Sequence, residues 1–133
     1  MDVGCPQIDD VGMKSIANFA HLEALTAYEA KVTDEGLAHL QPLQKLERLN
    51  LTATRVTDKG LVHLRRLTSL NQLDLSSTQI TDAGLVQLQE IKAFEFLGVH
   101  ETKVTEVGVR SFRIAMPNAS IWSDWPDADQ AID

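Results

Sequence analysis

"VTDKGLVHLRRL", residues 56–67, decides the fold, because nearly the same words stand at Val32 ("VTDEGLAHLQPL") and at Ile80 ("ITDAGLVQLQEI"). The phrase begins at Val32, Val56, Ile80 and Val104, 24 residues apart each time. One further step back lands on Ile8, where "IDDVG" keeps the apolar residue, the second acid and Gly12. Five copies therefore run in register from 8 to about 127 with no insertion between them. "MDV" at 1–3 falls where later units have Leu-x-Leu, which predicts a leading strand or an earlier repeat.

Within one unit the apolar period changes. Leu61, Leu64 and Leu67 are three apart, whereas Leu73 and Leu75 are two apart. The first set stripes one face of a short helix, and the second reads as a strand with alternate side chains inward. Thr57 is placed to cap the helix N-terminus, and Asp58 in the first turn suits the positive end of its dipole. Glycine recurs in register at Gly12, Gly36, Gly60, Gly84 and Gly108. Because glycine within a helix costs about 1 kcal/mol relative to alanine, its repetition predicts a close approach of helix to sheet or helix to helix. No unit can bury its leucines alone, so the units must stack into one continuous core.

"LERLNLTATRV" and "LNQLDLSSTQI" resemble the leucine-rich repeat, whose conserved segment has the form L-x-x-L-x-L-x-x-N-x-L. The dialect "LDLSSTQITDAGLVQLQ" is similar to the 24-residue repeats of bacterial leucine-rich-repeat proteins and, at slightly other lengths, to ribonuclease-inhibitor-like and F-box repeat proteins. The resemblance covers about nine tenths of the chain. It implies an α/β fold: a right-handed leucine-rich repeat solenoid with parallel strands on the concave side, short helices on the convex side, and partners held on the concave sheet. The expected organisation is a single domain over 1–127 with units 8–31, 32–55, 56–79, 80–103 and 104–127. The last unit is an atypical C-terminal cap, and 128–133 is a disordered acidic tail. The chain departs from the family where the conserved Asn is replaced by Thr54, Thr78 and Thr102, by Ala30 in the first unit and by Pro126 in the last. A Thr hydroxyl can bond the turn after the strand as Asn does, but Ala30 cannot, so the first unit is expected to be looser.

Strand alternation names the outward side chains. One column is Ala24, Arg48, Gln72, Phe96 and Ser120; the next is Thr26, Asn50, Asp74, Gly98 and Trp122; the third is Tyr28, Thr52, Ser76, His100 and Asp124. Glu29, Ala53, Ser77, Glu101 and Trp125 lie just beyond the strand ends. Of seven aromatic residues, Phe96, Trp122 and Trp125 gather at the C-terminal end, beside a Gly98 expected to leave its backbone bare. Aromatic side chains concentrate binding energy at interfaces, so the candidate partner-binding residues are Arg48, Gln72, Asp74, Phe96, His100, Trp122, Asp124 and Trp125. Trp125 is read equally as a lid over the open solenoid end.

Ser76, His100 and Asp124 stand in the order of a hydrolase triad. They lack a pocket, an oxyanion hole and a G-x-S-x-G turn, so no catalytic residue is expected. His39 and His63 repeat one helical position and His100 neighbours acids, yet none forms a ligand set with zinc-site spacing. No phosphate loop, H-E-x-x-H or C-x-x-C occurs, and no cofactor or metal is expected.

A net charge of −7 argues against nucleic acid or an anionic membrane as partner. The single Cys5 has no internal disulfide partner, and "MDVGCPQIDDVG" lacks the basic and apolar regions of a signal peptide, which points to the cytoplasm. The expected function is a non-catalytic module binding another protein. The alternative is an accessory or self-assembling subunit or fragment of a larger repeat protein, associating through its aromatic C-terminal end or its N-terminal edge.

Overall fold

The computed structural model describes residues 8–125 in full and the backbone of residues 2–4. Cys5, Pro126 and the tail expected over 128–133 lie outside the described residues. Six parallel strands form one sheet in chain order: β1 Asp2–Gly4, β2 Ala24–Thr26, β3 Arg48–Asn50, β4 Gln72–Asp74, β5 Phe96–Gly98 and β6 Ser120–Trp122. Between them lie the helices α1 Asp10–Ile16, α2 Asp34–Ala38, α3 Asp58–Leu61, α4 Asp82–Leu88 and α5 Glu106–Ala115. From β2 onward the pairing follows the repeat, Leu25 to Leu49 to Leu73 to Leu97 to Ile121. The leading strand is present but sits two residues out of that phase, with Val3 opposite Leu25. The chain is an α/β leucine-rich repeat solenoid with its sheet on one side and its helices on the other.

The three-residue apolar spacing suits a tightened helix. In the third unit α3 gives way after Leu61 to a 3-10 segment, Val62–Arg66. A 3-10 helix has three residues per turn, so residues at i and i+3 eclipse one another, and Leu61, Leu64 and Leu67 all point into the core. The three central units contribute the same inward set, and the core is a stack of columns: Leu22, Leu46, Leu70 and Phe94 in one, and Val32, Val56, Ile80 and Val104 in another. Each such side chain withdrawn from water contributes roughly 1.5–3 kcal/mol. The last unit closes the stack with Phe112, fully buried on the longest helix.

Thr57 caps α3 as expected, and Thr33, Thr81, Thr105 and Asp9 cap their own helices alike. Asp58, read from sequence only as a charge at the helix dipole, has a larger role. Its Oδ1 accepts the Thr81 N–H at 2.8 Å and its Oδ2 accepts the Thr81 hydroxyl at 2.5 Å. Asp34 binds Thr57 in the same way, Asp10 binds Thr33, and Asp82 binds Thr105. Each threonine thus donates to the preceding unit while accepting from its own helix, as Thr57 does from the Lys59 N–H. The register of glycines follows. A Cβ added to Gly60 would stand 2.5 Å from Asp34 Oδ1, and at Gly36, Gly84 and Gly108 it would also overlap the carboxylate of the unit before. The close approach is therefore helix to helix, made by one acid in each unit.

The threonines in place of the family's Asn do bond the turn after the strand. Thr54, Thr78 and Thr102 donate to the carbonyls of Leu51, Leu75 and Val99 at 2.6–2.8 Å. Ala30 is buried at the same place without a hydroxyl, and the Ala27 carbonyl accepts only the Ala30 main-chain N–H, at 3.1 Å.

Two substitutions test the inter-unit lock. Gly108→Ala, which in an ordinary helix interior gains about 1 kcal/mol, is expected to destabilise here by about 1–3 kcal/mol through overpacking against Asp82. Asp82→Ala is expected to cost about 0.5–1.5 kcal/mol by removing two hydrogen bonds to Thr105, whose exposed donors then turn to water. Because the two changes relieve one another, the double variant measured by urea unfolding should lose less than the sum.

Candidate functional site

The outer face of the sheet is held by an unbroken main-chain ladder that runs past the strand ends. Glu29, Ala53 and Ser77 donate their N–H to the carbonyls of Thr52, Ser76 and His100. They do so from left-handed backbone, with φ of 57, 60 and 58°, and Glu101 repeats it at 54°. None of the four is glycine, so each carries a conformational cost of order 1 kcal/mol that the ladder holds in place.

At the C-terminal end side chains take over. The Glu101 N–H donates to Asp124 Oδ2 at 2.9 Å, so a carboxylate fills the place of the strand carbonyl used in earlier units. The Trp125 indole N–H donates to the Val104 carbonyl at 3.2 Å. In the preceding units the equivalent carbonyls of Val32, Val56 and Ile80 accept main-chain N–H groups from Arg55, Gln79 and Lys103. Trp125 thereby ends the ladder, as a lid does, while 39% of it stays exposed.

Phe96, Trp122, His100 and Asp124 come together as one cluster. The Phe96 and Trp122 rings meet edge to face with centroids 5.2 Å apart, and the His100 ring also approaches Trp122 edge to face, at 6.2 Å. Such pairs are worth about 0.5–1.5 kcal/mol beyond area burial. Trp122 nevertheless remains 61% exposed. Arg48, Gln72, Asp74 and Phe96 line a shallow groove of about 300 Å³ over β2 to β5. Arg48 lies 3.8 Å from Glu47.

Gly98 does not leave its backbone bare. It is buried, and a Cβ there would lie 2.7 Å from Asp74 Oδ1 and 3.2 Å from Oδ2, because the Asp74 carboxylate leans across it. Asp74 Oδ1 also accepts the Ser76 N–H at 3.0 Å, a turn that Asn50 makes identically with Thr52 one unit earlier.

The apparent triad is not wired as one. Ser76 Oγ accepts the main-chain N–H of His100 at 3.1 Å, while His100 Nδ1 faces Asp124 Oδ1 at 3.1 Å as an exposed pair. His63 Nδ1 meets the Gln41 amide and His21 Nδ1 meets Lys45, so neither histidine joins His100. Among the described residues no group of three or more His, Cys, Asp or Glu is arranged to hold a metal ion, and no helix is long and apolar enough to cross a membrane.

A parallel sheet backed by short helices, with one face rigid and uncovered, defines a solenoid of the kind that presents a surface. By sequence, residues 43–64 and 66–88 match the family described as Leucine Rich repeat. With that geometry repeated in the other units, the chain has the leucine-rich repeat fold. A search of curated proteins finds no significant match. Among solved structures the chain is similar to internalin C2 of Listeria monocytogenes, with a TM-score of 0.68 and 21% identity over 90% of this chain and 51% of that one. A second Listeria internalin gives 0.58 and 22% over 96% and 41%. A leucine-rich repeat protein of Leptospira interrogans gives 0.63 and 18% over 81% and 27%. At these identities the likeness shows the fold, and the chain spans about half the length of the first of these and less of the others.

Ala24, read as outward, is buried, and sequence reasoning missed the Asp10, Asp34, Asp58 and Asp82 series. The signal was present in the joint recurrence of Thr, Asp and Gly, which a helix cap alone does not require.

Two titrations follow. The hydrogen bond with His100, and then the Glu101 N–H, hold the Asp124 carboxyl below its ordinary value of 3.8. A group lowered on folding stabilises above its unfolded pKa and loses that contribution as pH falls through the folded one. Carboxyl NMR should place the Asp124 midpoint below 3.8, and Asp124→Asn should flatten this part of the acid limb. Tyr28 is the only tyrosine, and the charge of Glu29 together with its hydrogen bond raises the phenol above 10.0. Ultraviolet titration should show that rise, and Glu29→Gln should reverse most of it.

Proposed function

We propose that the chain is a non-catalytic interaction module that binds another protein on its concave sheet. The observation that carries this reading is the Phe96–Trp122 pair: a large aromatic ring left 61% in water on a face whose backbone is fixed by a complete ladder. Rigid, exposed aromatics bury area on binding at little entropic cost. Six strands at about 4.8 Å give a face roughly 24 Å across, suited to a peptide segment or small domain rather than to enclosure. Arg48, Gln72, Asp74, Phe96, His100, Trp122 and Asp124 form that face, and Trp125 closes its end. The net charge of −7 disfavours nucleic acid and anionic membrane, and the single Cys5 fits a cytoplasmic setting.

Head-to-tail association of copies is disfavoured by the residues that would have to mate. Between units an Asp meets a Thr that donates twice, but the fifth unit carries Glu106, paired with Arg110 at 3.0 Å, and the first carries Asp9 in the threonine's place. Stacking one copy on the next would set two carboxylates against each other, since Asp9 has no hydrogen to donate when ionised.

Photo-crosslinking separates the faces. A crosslinker at Gln72, on the concave sheet, should trap a partner from lysate of the source organism, whereas one at Val86, exposed on the helical side, should not. Trapping from Val86 alone would move the site to the convex face. A concentration-dependent mass in light scattering would favour self-assembly.

A further inference from the structure

The C-terminal half of the concave face has a chemistry of its own. Residues 71–77, 95–101 and 119–125, which supply β4 to β6 and their ends, contain Asp74, Glu95, Glu101 and Asp124 but no Lys or Arg. Asp124 is engaged by His100 and the Glu101 N–H. Asp74 is placed differently. Its carboxylate crosses its own strand edge to lie over Gly98, and Gly98 is directly opposite Trp122 in the sheet register. Phe96, in the same groove as Asp74, meets Trp122 edge to face. An anionic group and an exposed indole therefore stand on either side of one glycine, with a second aromatic ring beside them. Only glycine at 98 permits this, since any side chain there would displace the carboxylate.

Resting on the concave-face reading, we propose that this corner is a receptor for a cationic side chain, Lys or Arg, carried by a basic segment of the partner protein. The cation lies against the Trp122 ring and pairs with Asp74, while the segment's backbone follows the groove toward Arg48. A ring face attracts a cation through its quadrupole, and a carboxylate alongside supplies the opposite charge and a hydrogen-bond acceptor. The acidic field of this corner steers the encounter as well.

The test uses the full chain with hexa-arginine, hexa-lysine and hexa-glutamate as probes, followed by ¹H–¹⁵N NMR on the indole N–H signals of Trp122 and Trp125 and the amide of Gly98. The expected result is a saturable shift of Trp122 and Gly98 with either cationic peptide and none with hexa-glutamate. Asp74→Asn should weaken that binding about threefold to fivefold. This variant keeps the fold, because Asn50 already makes the same turn bond one unit earlier. Asp124→Asn, which removes an equal charge from the same face, should weaken binding less than Asp74→Asn.

Equal losses in both variants would mean diffuse acidity and would overturn the site. Shifts confined to signals away from Trp122 and Gly98, or a response to hexa-glutamate in preference to the cations, would overturn it too. An absence of response to all three probes would count against the cation receptor. Crosslinking of a protein partner from Gln72 would in that case leave the concave-face reading standing.

Discussion

The molecule depends on one short-range contact: a carboxylate from each helix start reaching across to the threonine of the next, through space kept open by a glycine. An apolar stack alone would leave neighbouring units free to slide or rotate, because dispersion and hydrophobic burial are not directional. The Asp–Thr bonds are directional, and two oxygens meeting two donors fix both spacing and angle. Once that spacing is set on the helical side, the strands on the other side fall into a ladder that tolerates left-handed backbone at Glu29, Ala53, Ser77 and Glu101. The spacing of the strands on the outer face is therefore set from the opposite side of the molecule.

That division of labour leaves the outward positions chemically free. Leu49, Leu73 and Leu97 answer to the core, while their neighbours Asn50, Asp74 and Gly98 differ from unit to unit at no cost to the stack. The same position can hold a turn through Asn50 or, as Asp74, hold it and present charge as well. At the end of the sheet the side chains of Asp124 and Trp125 supply an acceptor and a donor that earlier units take from the main chain. Asp124 thus has a structural role on the outer face, and its pairing with His100 comes at the edge of the ladder.

Much of this was legible in the sequence because period is legible. The alternation around Leu73 and Leu75 assigned the strand and its outward columns, and the Thr57 cap was visible from its position alone. The Thr ladder at 54, 78 and 102 was also foreseeable, since a hydroxyl shares the donor that the family's Asn amide supplies. Contacts between units were not legible, because a residue's partner 23 positions away leaves no local trace. Asp58 reads as a dipole charge until Thr81 is seen beside it. Gly98 reads as bare backbone until the Asp74 side chain is seen to cover it. The two-residue offset of the leading strand was hidden for the same reason, since pairing register belongs to the assembled sheet.

The aromatic cluster straddles the seam between β5 and β6, and that position has a mechanical consequence. In a linear stack an interior unit is gripped on both sides and a terminal one on a single side, so the outermost joint opens more readily than any other. Phe96 belongs to one side of that joint and Trp122 to the other. A molecule resting on both would act as a splint, slowing amide exchange in α5 and β6 while leaving α1 and β2 untouched. Occupancy of the face would then be written into how long the last turn of the solenoid stays closed.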